Sequence, residues 1–407
     1  MQRTLTLHPP QSDQRMAGTH PYQLEVIPAI SSISATAWNG LLTQDASPFL
    51  KHEFLNALEQ TACVGGNTGW QVAHLILKAG VQIVGAMPLY LKYHSYGEYV
   101  FDWSWAQAYE QNGLNYYPKA LCAIPFSPVQ GARILCQPSN NQAEIRDILI
   151  AGLKDLVNQN TLSSAHILFP QHEESIFLKD QGFLLRDVVQ FHWKNHNYEN
   201  FDDFLSNLVM KRRKNIRRER QYIANAGIDF RHLSGLSITD ADWDFFYRCY
   251  ENTYLEHGST PYLNQAFFIE LNKTCPENIH LVIAEENQTP IASSLTIIDK
   301  ADSRAYGRYW GAIKYIPMLH FETAYYQVID YCIQNQIQVF EGGAQGEHKM
   351  ARGFTPTTIQ SAHFIADTRF SRAVEDFLKR EHAGMAAYVT ELENHGPLKP
   401  KGQTPDL

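Results

Sequence analysis

The chain has 407 residues, more than one ordinary hydrophobic core accommodates, so two domains are expected. Hydrophobic residues at 44% and charged residues at 19% exclude a disordered chain. A net charge of −8 excludes an overall basic field that would draw the molecule onto nucleic acid or an anionic membrane.

From the N-terminus, residues 1–21 are polar with scattered prolines and read as a flexible tail. No apolar signal segment stands among them, and the most apolar run, 72–91, alternates like strands, so a cytoplasmic location is expected. Leu24 to Ile27 reads as a strand, Ser34 as the cap of a helix through Trp38, and Glu53 to Thr61 as a second helix. Gly69 to Leu77 and Val81 to Leu91 alternate across Ala79-Gly80, which predicts a hairpin. Tyr96 to Pro128 is dense in aromatics, with no single period accounting for the whole; it reads as a long loop or a ligand groove around Asp102 and Trp103. Gln142 to Gln159 has helical spacing through Ile145, Leu149, Leu153 and Leu156. A strand from Ala165, a short charged helix, Gly182-Phe183 and a strand from Val188 follow.

The second half repeats this order. Thr260-Pro261-Tyr262-Leu263 echoes Ser47-Pro48-Phe49-Leu50. A hairpin over His280 to Ile298, a strand at Tyr306, a helix over Phe321 to Asn335, a strand over Gln338 to Glu341, Gly353-Phe354 and a strand from Ile359 follow. The shared order predicts an internal duplication. The boundaries expected are 22–195 for the first domain, 196–394 for the second, and a flexible tail over 395–407. The six cysteines are well separated, with no CxxC pair, and read as buried small side chains in a reducing compartment.

Two stretches carry chemistry. Between the halves, Phe204, Leu205, Leu208, Val209, Ile216 and Ile223 share one helical face. Across them Lys211 to Arg220 sets seven cations against one acid, Glu219, while the rest of the chain holds 27 basic and 41 acidic residues. Such focused charge favours a polyanion such as tRNA, a diphosphate or coenzyme A; a solvated helix face is the plainer alternative. The second stretch, 339–354, opens from a strand into Gly342, Gly343 and Gly346, then presents Glu347, His348, Lys349 and Arg352. Glycines there admit close backbone approach, and the cluster supplies a base and cations.

On these residues the chain resembles a known group. Ser206 to Arg220, His320 to Ala324 and Phe340 to Phe354 look like the FemAB-like family, whose members carry peptidoglycan-biosynthesis or N-acyltransferase labels. The resemblance implies a mixed α/β fold of two tandem GNAT-like domains, each a twisted sheet flanked by helices. It implies N-acyl or aminoacyl transfer from an activated ester or thioester to an amine, with a cell-wall precursor as acceptor. The (Arg/Gln)-x-x-Gly-x-(Gly/Ala) loop of coenzyme A users is absent before Phe321, and Gln130-Gly131-Ala132-Arg133 is a remnant of it. The donor therefore stays open between acyl-coenzyme A and aminoacyl-tRNA, with no tightly bound cofactor and no metal.

The expected roles follow from that chemistry. Glu341 or Glu347 acts as base, with His348 as rival. Gly342, Gly343 and Gly346 admit the donor. Lys211, Arg212, Arg217, Lys349 and Arg352 hold its phosphates, and His320, Glu322, Asp102 and Trp103 contact the acceptor. The competing class is a binding protein that uses the same groove for a sugar-peptide or RNA without chemistry.

Overall fold

The computed structural model describes residues 22–44, 46–343 and 346–399. The tail expected over 1–21 lies outside the described residues, as do residues 400–407 of the one expected at the C-terminus. Contacts divide the chain into two units, Met1–Val188 with Ile359–Ala386 and Val189–Thr358 with Ala387–Leu407. The division thus differs from a single break at residue 195, because the chain returns to the first unit near its end.

The first unit carries β1 (Tyr22–Ile27), α1 (Ala35–Asn39), α2 (His52–Gln60), β2 (Trp70–Val72), β3 (His74–Ala79), β4 (Gln82–Met87), β5 (Leu89–Lys92), α3 (Trp103–Gln111), β6 (Lys119–Cys122), β7 (Leu135–Cys136), α4 (Gln142–Gln159), β8 (Ser164–Leu168), α5 (His172–Asp180) and most of the leading half of β9 (Leu184–Lys194). Ser34 caps α1 through a hydrogen bond from the Ala37 N–H. The expected hairpin is split. β3 and β4 pair within a four-stranded antiparallel sheet, while β2 and β5 pair in another. The breaks fall at Ala73 and at Pro88, which has no N–H for a ladder. The aromatic stretch is not one loop, since it contains α3 and β6. Ile145, Leu149, Leu153 and Leu156 of α4 are buried in the core, each contributing about 1.5–3 kcal/mol of apolar burial.

The second unit contains α6 (Phe201–Ser206), α7 (Met210–Asn225), β10 (Ile228–Ser234), α8 (Asp240–Glu256), α9 (Gln265–Thr274), β11 (Ile279–Glu286), β12 (Thr289–Asp299), β13 (Arg304–Ala312), α10 (Leu319–Phe321), α11 (Gln327–Gln334), β14 (Val339–Glu341) and the start of β15 (Thr355–Ile365). A π-helical turn, Glu322–Tyr326, joins α10 to α11. The sheet runs β10-β11-β12-β13-β14 and is antiparallel until β13 meets β14 in parallel; His192–Lys194 of β9 then pairs antiparallel with β14. The first unit shows the same arrangement, with β6 and β8 parallel and Ser361–Ile365 of β15 antiparallel to β8. Each half therefore closes its sheet on the last strand of the other, which is why the division falls inside two strands.

The basic segment is two helices. The chain breaks at Asn207–Val209, where Leu208 bridges Leu398 and the Val209 N–H donates to the Pro397 carbonyl. Residues 395–399 of the expected tail are thus tied to the second unit. A last helix, α12 (Thr368–Asn394), has no counterpart in the sequence reading. Phe370, Val374, Phe377 and Leu378 recur there at helical spacing and pack together, so the pattern stands in the sequence and that reading missed it. All six cysteines are buried, and no two are joined by a disulfide. Among the described residues no helix is long and apolar enough to cross a membrane.

Candidate active site

The second unit's distinctive feature is the parting of two parallel strands. β13 and β14 are in register only through Arg304–Val339, Ala305–Phe340 and Tyr306–Glu341. β13 then continues to Ala312 against β12 alone, with a bulge that sets Leu295 opposite Tyr309 and Thr296 opposite Gly307. The gap is a cleft of about 100 Å3 whose walls include Gly307, Trp310, His320, Tyr325, Phe340 and Gly342. Gly307 keeps it open, because a Cβ there would stand 2.9 Å from the Phe340 ring. His320 stacks on Trp310 with ring centroids 4.9 Å apart. Burial, reinforced by His348 and the cations nearby, lowers its pKa to about 3, so its imidazole is neutral at physiological pH.

β14 delivers the glycine loop to this cleft. Strand alternation sends Glu341 to the face opposite Phe340 and Gly342. Its carboxylate is 4% exposed and accepts a 3.1 Å hydrogen bond from Arg304 Nη1. Burial raises its pKa to about 7 against the opposing pull of Arg304. Beyond it Gly343 has φ 87° and Gly346 φ 116°, backbone states that favour glycine. Ala344 and Gln345 lie outside the described residues. A 3-10 turn, Glu347–Arg352, follows and ends at Gly353 with φ 92°.

That turn sorts its polar side chains. Glu347 and His348 face outward. Glu347 accepts a 2.5 Å bond from the Tyr388 hydroxyl, and His348 Nε2 lies 3.2 Å from the Tyr325 hydroxyl. Burial, Lys349 and Arg352 together lower the His348 pKa. Lys349 and Arg352, expected to face a donor, are instead buried. Lys349 Nζ donates to the Gly343 carbonyl at 3.1 Å, and burial lowers its pKa to about 8. Arg352 donates to the His348 carbonyl at 2.7 Å and to Glu219 at 3.0 Å, with its guanidinium 3.3 Å from the Phe321 ring centre. These two cations hold the loop in shape. Glu219 also accepts from the Tyr326 hydroxyl, so α7 is fastened directly to the turn and to the π-helical segment.

Along α7, Lys211, Lys214, Arg217 and Arg218 are exposed and Arg212 is half-buried; Arg217 pairs with Asp202 at 3.3 Å. Arg220 lies over Phe201 and donates to Glu322, which is buried at the start of the π-helical turn. Glu322 faces away from the cleft that His320 lines. The structure therefore gathers Glu341, the three glycines, Glu347, His348, Lys349, Arg352 and His320 around one loop, with Glu322 and the cations of α7 beside it.

Asp102 and Trp103 belong to the first unit. Asp102 is buried in an ionic network: Lys119 Nζ donates to it and, at 2.8 Å, to Glu98, and the Tyr116 hydroxyl donates to it at 2.6 Å. Burial opposes its charge, but Lys119 and His166 outweigh that and hold its carboxyl below the ordinary range. Trp103 is exposed and packs edge-on against Tyr96. In the Gln130–Arg133 remnant, Arg133 is fully buried and donates to the Leu168 and Val129 carbonyls, a structural role.

Sequence reasoning did not single out Gly307, Trp310, Tyr325, Arg304 or Tyr388. Glu219 did leave a signal, as the lone acid in the basic run. Arg304 and Tyr388 left none, because their partners are distant in the chain.

Comparison with known proteins bears on this arrangement. No curated protein matches the sequence. The structure of FemX aligns over 84% of this chain and 98% of its own at 11% identity, with a TM-score of 0.51. The C-terminal domain of an Agrobacterium fabrum protein named as a lysylphosphatidylglycerol synthetase aligns over 84% of this chain and 95% of its own at 7% identity, also with a TM-score of 0.51. A tandem GNAT protein from the clavulanic acid biosynthesis pathway aligns over 85% of this chain and 99% of its own, at 9% identity and a TM-score of 0.45. At such identities the likeness to the first two is one of fold alone, here a mixed α+β architecture. The sequence itself matches the FemAB-like family, described as peptidoglycan biosynthesis/recognition, over residues 29–400, and the chain belongs to that family.

Proposed function

We propose that the second unit transfers an acyl or aminoacyl group from an activated ester or thioester to an amine. The observation that carries this reading is the parting of β13 and β14 beyond Tyr306–Glu341, which leaves an opening between two parallel strands beside a glycine loop. A linear acyl donor threaded there would lie against backbone, where N–H groups can stabilise a tetrahedral oxyanion. The amine nitrogen attacks the carbonyl carbon, a C–N bond forms, and the C–O or C–S bond to the donor breaks. The acceptor ammonium must lose a proton before its nitrogen can attack, the attached N–H must lose a second as the amide forms, and the leaving alkoxide or thiolate must gain one.

His348 is the base this reading favours: its Nε2 lies 3.2 Å from the hydroxyl of Tyr325, which lines the cleft, and burial with Lys349 and Arg352 favours its neutral form. Glu341, on the face of β14 opposite Phe340 and Gly342 and bonded to Arg304, is the rival; Glu347 stands in solvent with Tyr388. Donor phosphates would fall to exposed cations of α7 such as Lys211 and Lys214, since Lys349 and Arg352 are engaged within the protein and Arg217 pairs with Asp202. The family description supports an amine of a cell-wall peptide as acceptor, and the donor stays open between acyl-coenzyme A and aminoacyl-tRNA. The engagement of Lys349 and Arg352 also favours, as a second reading, a protein that binds such ligands without chemistry.

The test is product formation, read by mass spectrometry, with each donor class and a panel of peptide amines. Product with wild type, and a fall of about 10²–10⁴ in rate for His348→Ala, is expected. Ligand-induced thermal stabilisation without product from any donor would favour the binding protein and sink the transferase.

A further inference from the structure

A second cavity in the same unit also borders the π-helical segment. It has a volume of about 480 Å3, within the range of small-molecule sites. Its apolar walls include Phe201, Leu205, Ile223 and Phe230, contributed by α6, α7 and β10. Arg217 and Arg220 of α7 meet there, one helical turn apart. The cleft between β13 and β14 is lined by other residues of the same segment, Ala324 and Tyr325.

We propose that this cavity binds a small carboxylate with an apolar or aromatic body, its head on Arg220 and Arg217 and its body on Phe201, Leu205 and Phe230. Three observations carry the assignment. First, Arg220 is preorganised but not saturated. Its guanidinium lies 4.2 Å from the Phe201 ring centre, and Nε donates to Glu322 at 3.1 Å. Its two terminal nitrogens make no hydrogen bond among the described residues, so a planar donor fork is aimed and unused. Second, the walls are too apolar for a polyanion alone. Ile223 is buried at 1% and Leu205 at 2%, while the Arg220 side chain keeps 28% exposure at the mouth. Third, the local charge limits the ligand to one negative charge. Asp202 pairs with Arg217 and Glu322 with Arg220, so a dianionic phosphate would meet two carboxylates beside the two arginines. Burial also raises the Glu322 pKa, which marks the site as one that tolerates little further negative charge.

The test is binding, so it stands whether or not the protein transfers acyl groups. The full chain is titrated with 3-phenylpropanoate, with phenyl phosphate and with L-phenylalanine, using calorimetry and ligand-observed NMR. Saturable binding of 3-phenylpropanoate is expected, weakened tenfold or more by Arg220→Gln. Ala224→Phe fills the cavity from α7 without removing a charge and is expected to abolish binding while the melting transition persists. Arg217→Gln, at an exposed position, should weaken binding severalfold. Binding of L-phenylalanine as tight as that of 3-phenylpropanoate would assign the site to amino acids within the same carboxylate class and would support the proposal. No saturable binding to wild type, affinity unchanged in both Arg220→Gln and Ala224→Phe, or tighter binding of phenyl phosphate would overturn it.

Discussion

The bond between α7 and the glycine loop can be measured. Arg352 donates to both Glu219 oxygens, at 3.0 and 3.3 Å, and to the His348 carbonyl. The two charged side chains keep 8% and 13% exposure. Removing one partner of a buried pair costs about 3–5 kcal/mol, and the residual exposure puts this one at the low end, near 3 kcal/mol for Arg352→Met. Glu219→Gln keeps the shape and a partner for Tyr326, so about 2 kcal/mol is expected. If the pair acts as a unit, the double variant loses about 3 kcal/mol, not 5, a coupling of about 2 kcal/mol. Because the chain has two units, global unfolding is a poor readout; hydrogen exchange of peptides from α7 and from 347–354 reports the free energy locally. Losses that add to within about 0.5 kcal/mol would refute the argument that α7 fastens the loop.

Three further outcomes follow from the same geometry. Glu341 keeps its proton to about pH 7 when folded, whereas the unfolded carboxyl releases it near 4.5. Its contribution therefore falls as pH rises through that window, by about 3 kcal/mol. Glu341→Gln should flatten stability across it; an unchanged pH–stability curve in the variant contradicts this account of the buried carboxyl. A Cβ on Gly311 would sit 1.9 Å from the Cys249 carbonyl of α8, so Gly311→Ala should cost about 3 kcal/mol by hydrogen exchange of β13 and α8, with near-wild-type protection as the contrary result. Lys119→Met leaves Glu98 and Asp102 buried without their shared cation and should destabilise the first unit by about 3–5 kcal/mol, measured by hydrogen exchange of β6 and β8.

The sequence was most legible where a local pattern decides the structure. The apolar stripe of α4 and the Ser34 cap of α1 depend on neighbours a few residues away. So did the glycine loop, whose positive φ values at Gly343 and Gly346 only glycine adopts freely. Long-range pairing was not legible. Nothing near residue 88 announces that β4 and β5 join different sheets, and nothing near 194 or 365 announces the exchange of last strands. Burial inverted part of the site reading: Lys349 and Arg352 look like ligand cations in a string of charges, yet the 3-10 turn points them inward at Gly343 and Glu219. The break between α6 and α7 was hidden because Leu208 continues the helical stripe while its backbone pairs with Leu398.

The central claim is that an acyl donor occupies the gap between β13 and β14. A donor analogue carrying a photoreactive acyl group, irradiated with the full chain and located by peptide mapping, tests this most directly. The account predicts labels on 307–310, 320–325 or 340–343, displaced by unlabelled donor and lost in Gly307→Val, whose side chain would fill the gap beside Phe340. Displaceable labelling confined to other segments, or labelling of the gap unaffected by Gly307→Val, would contradict it.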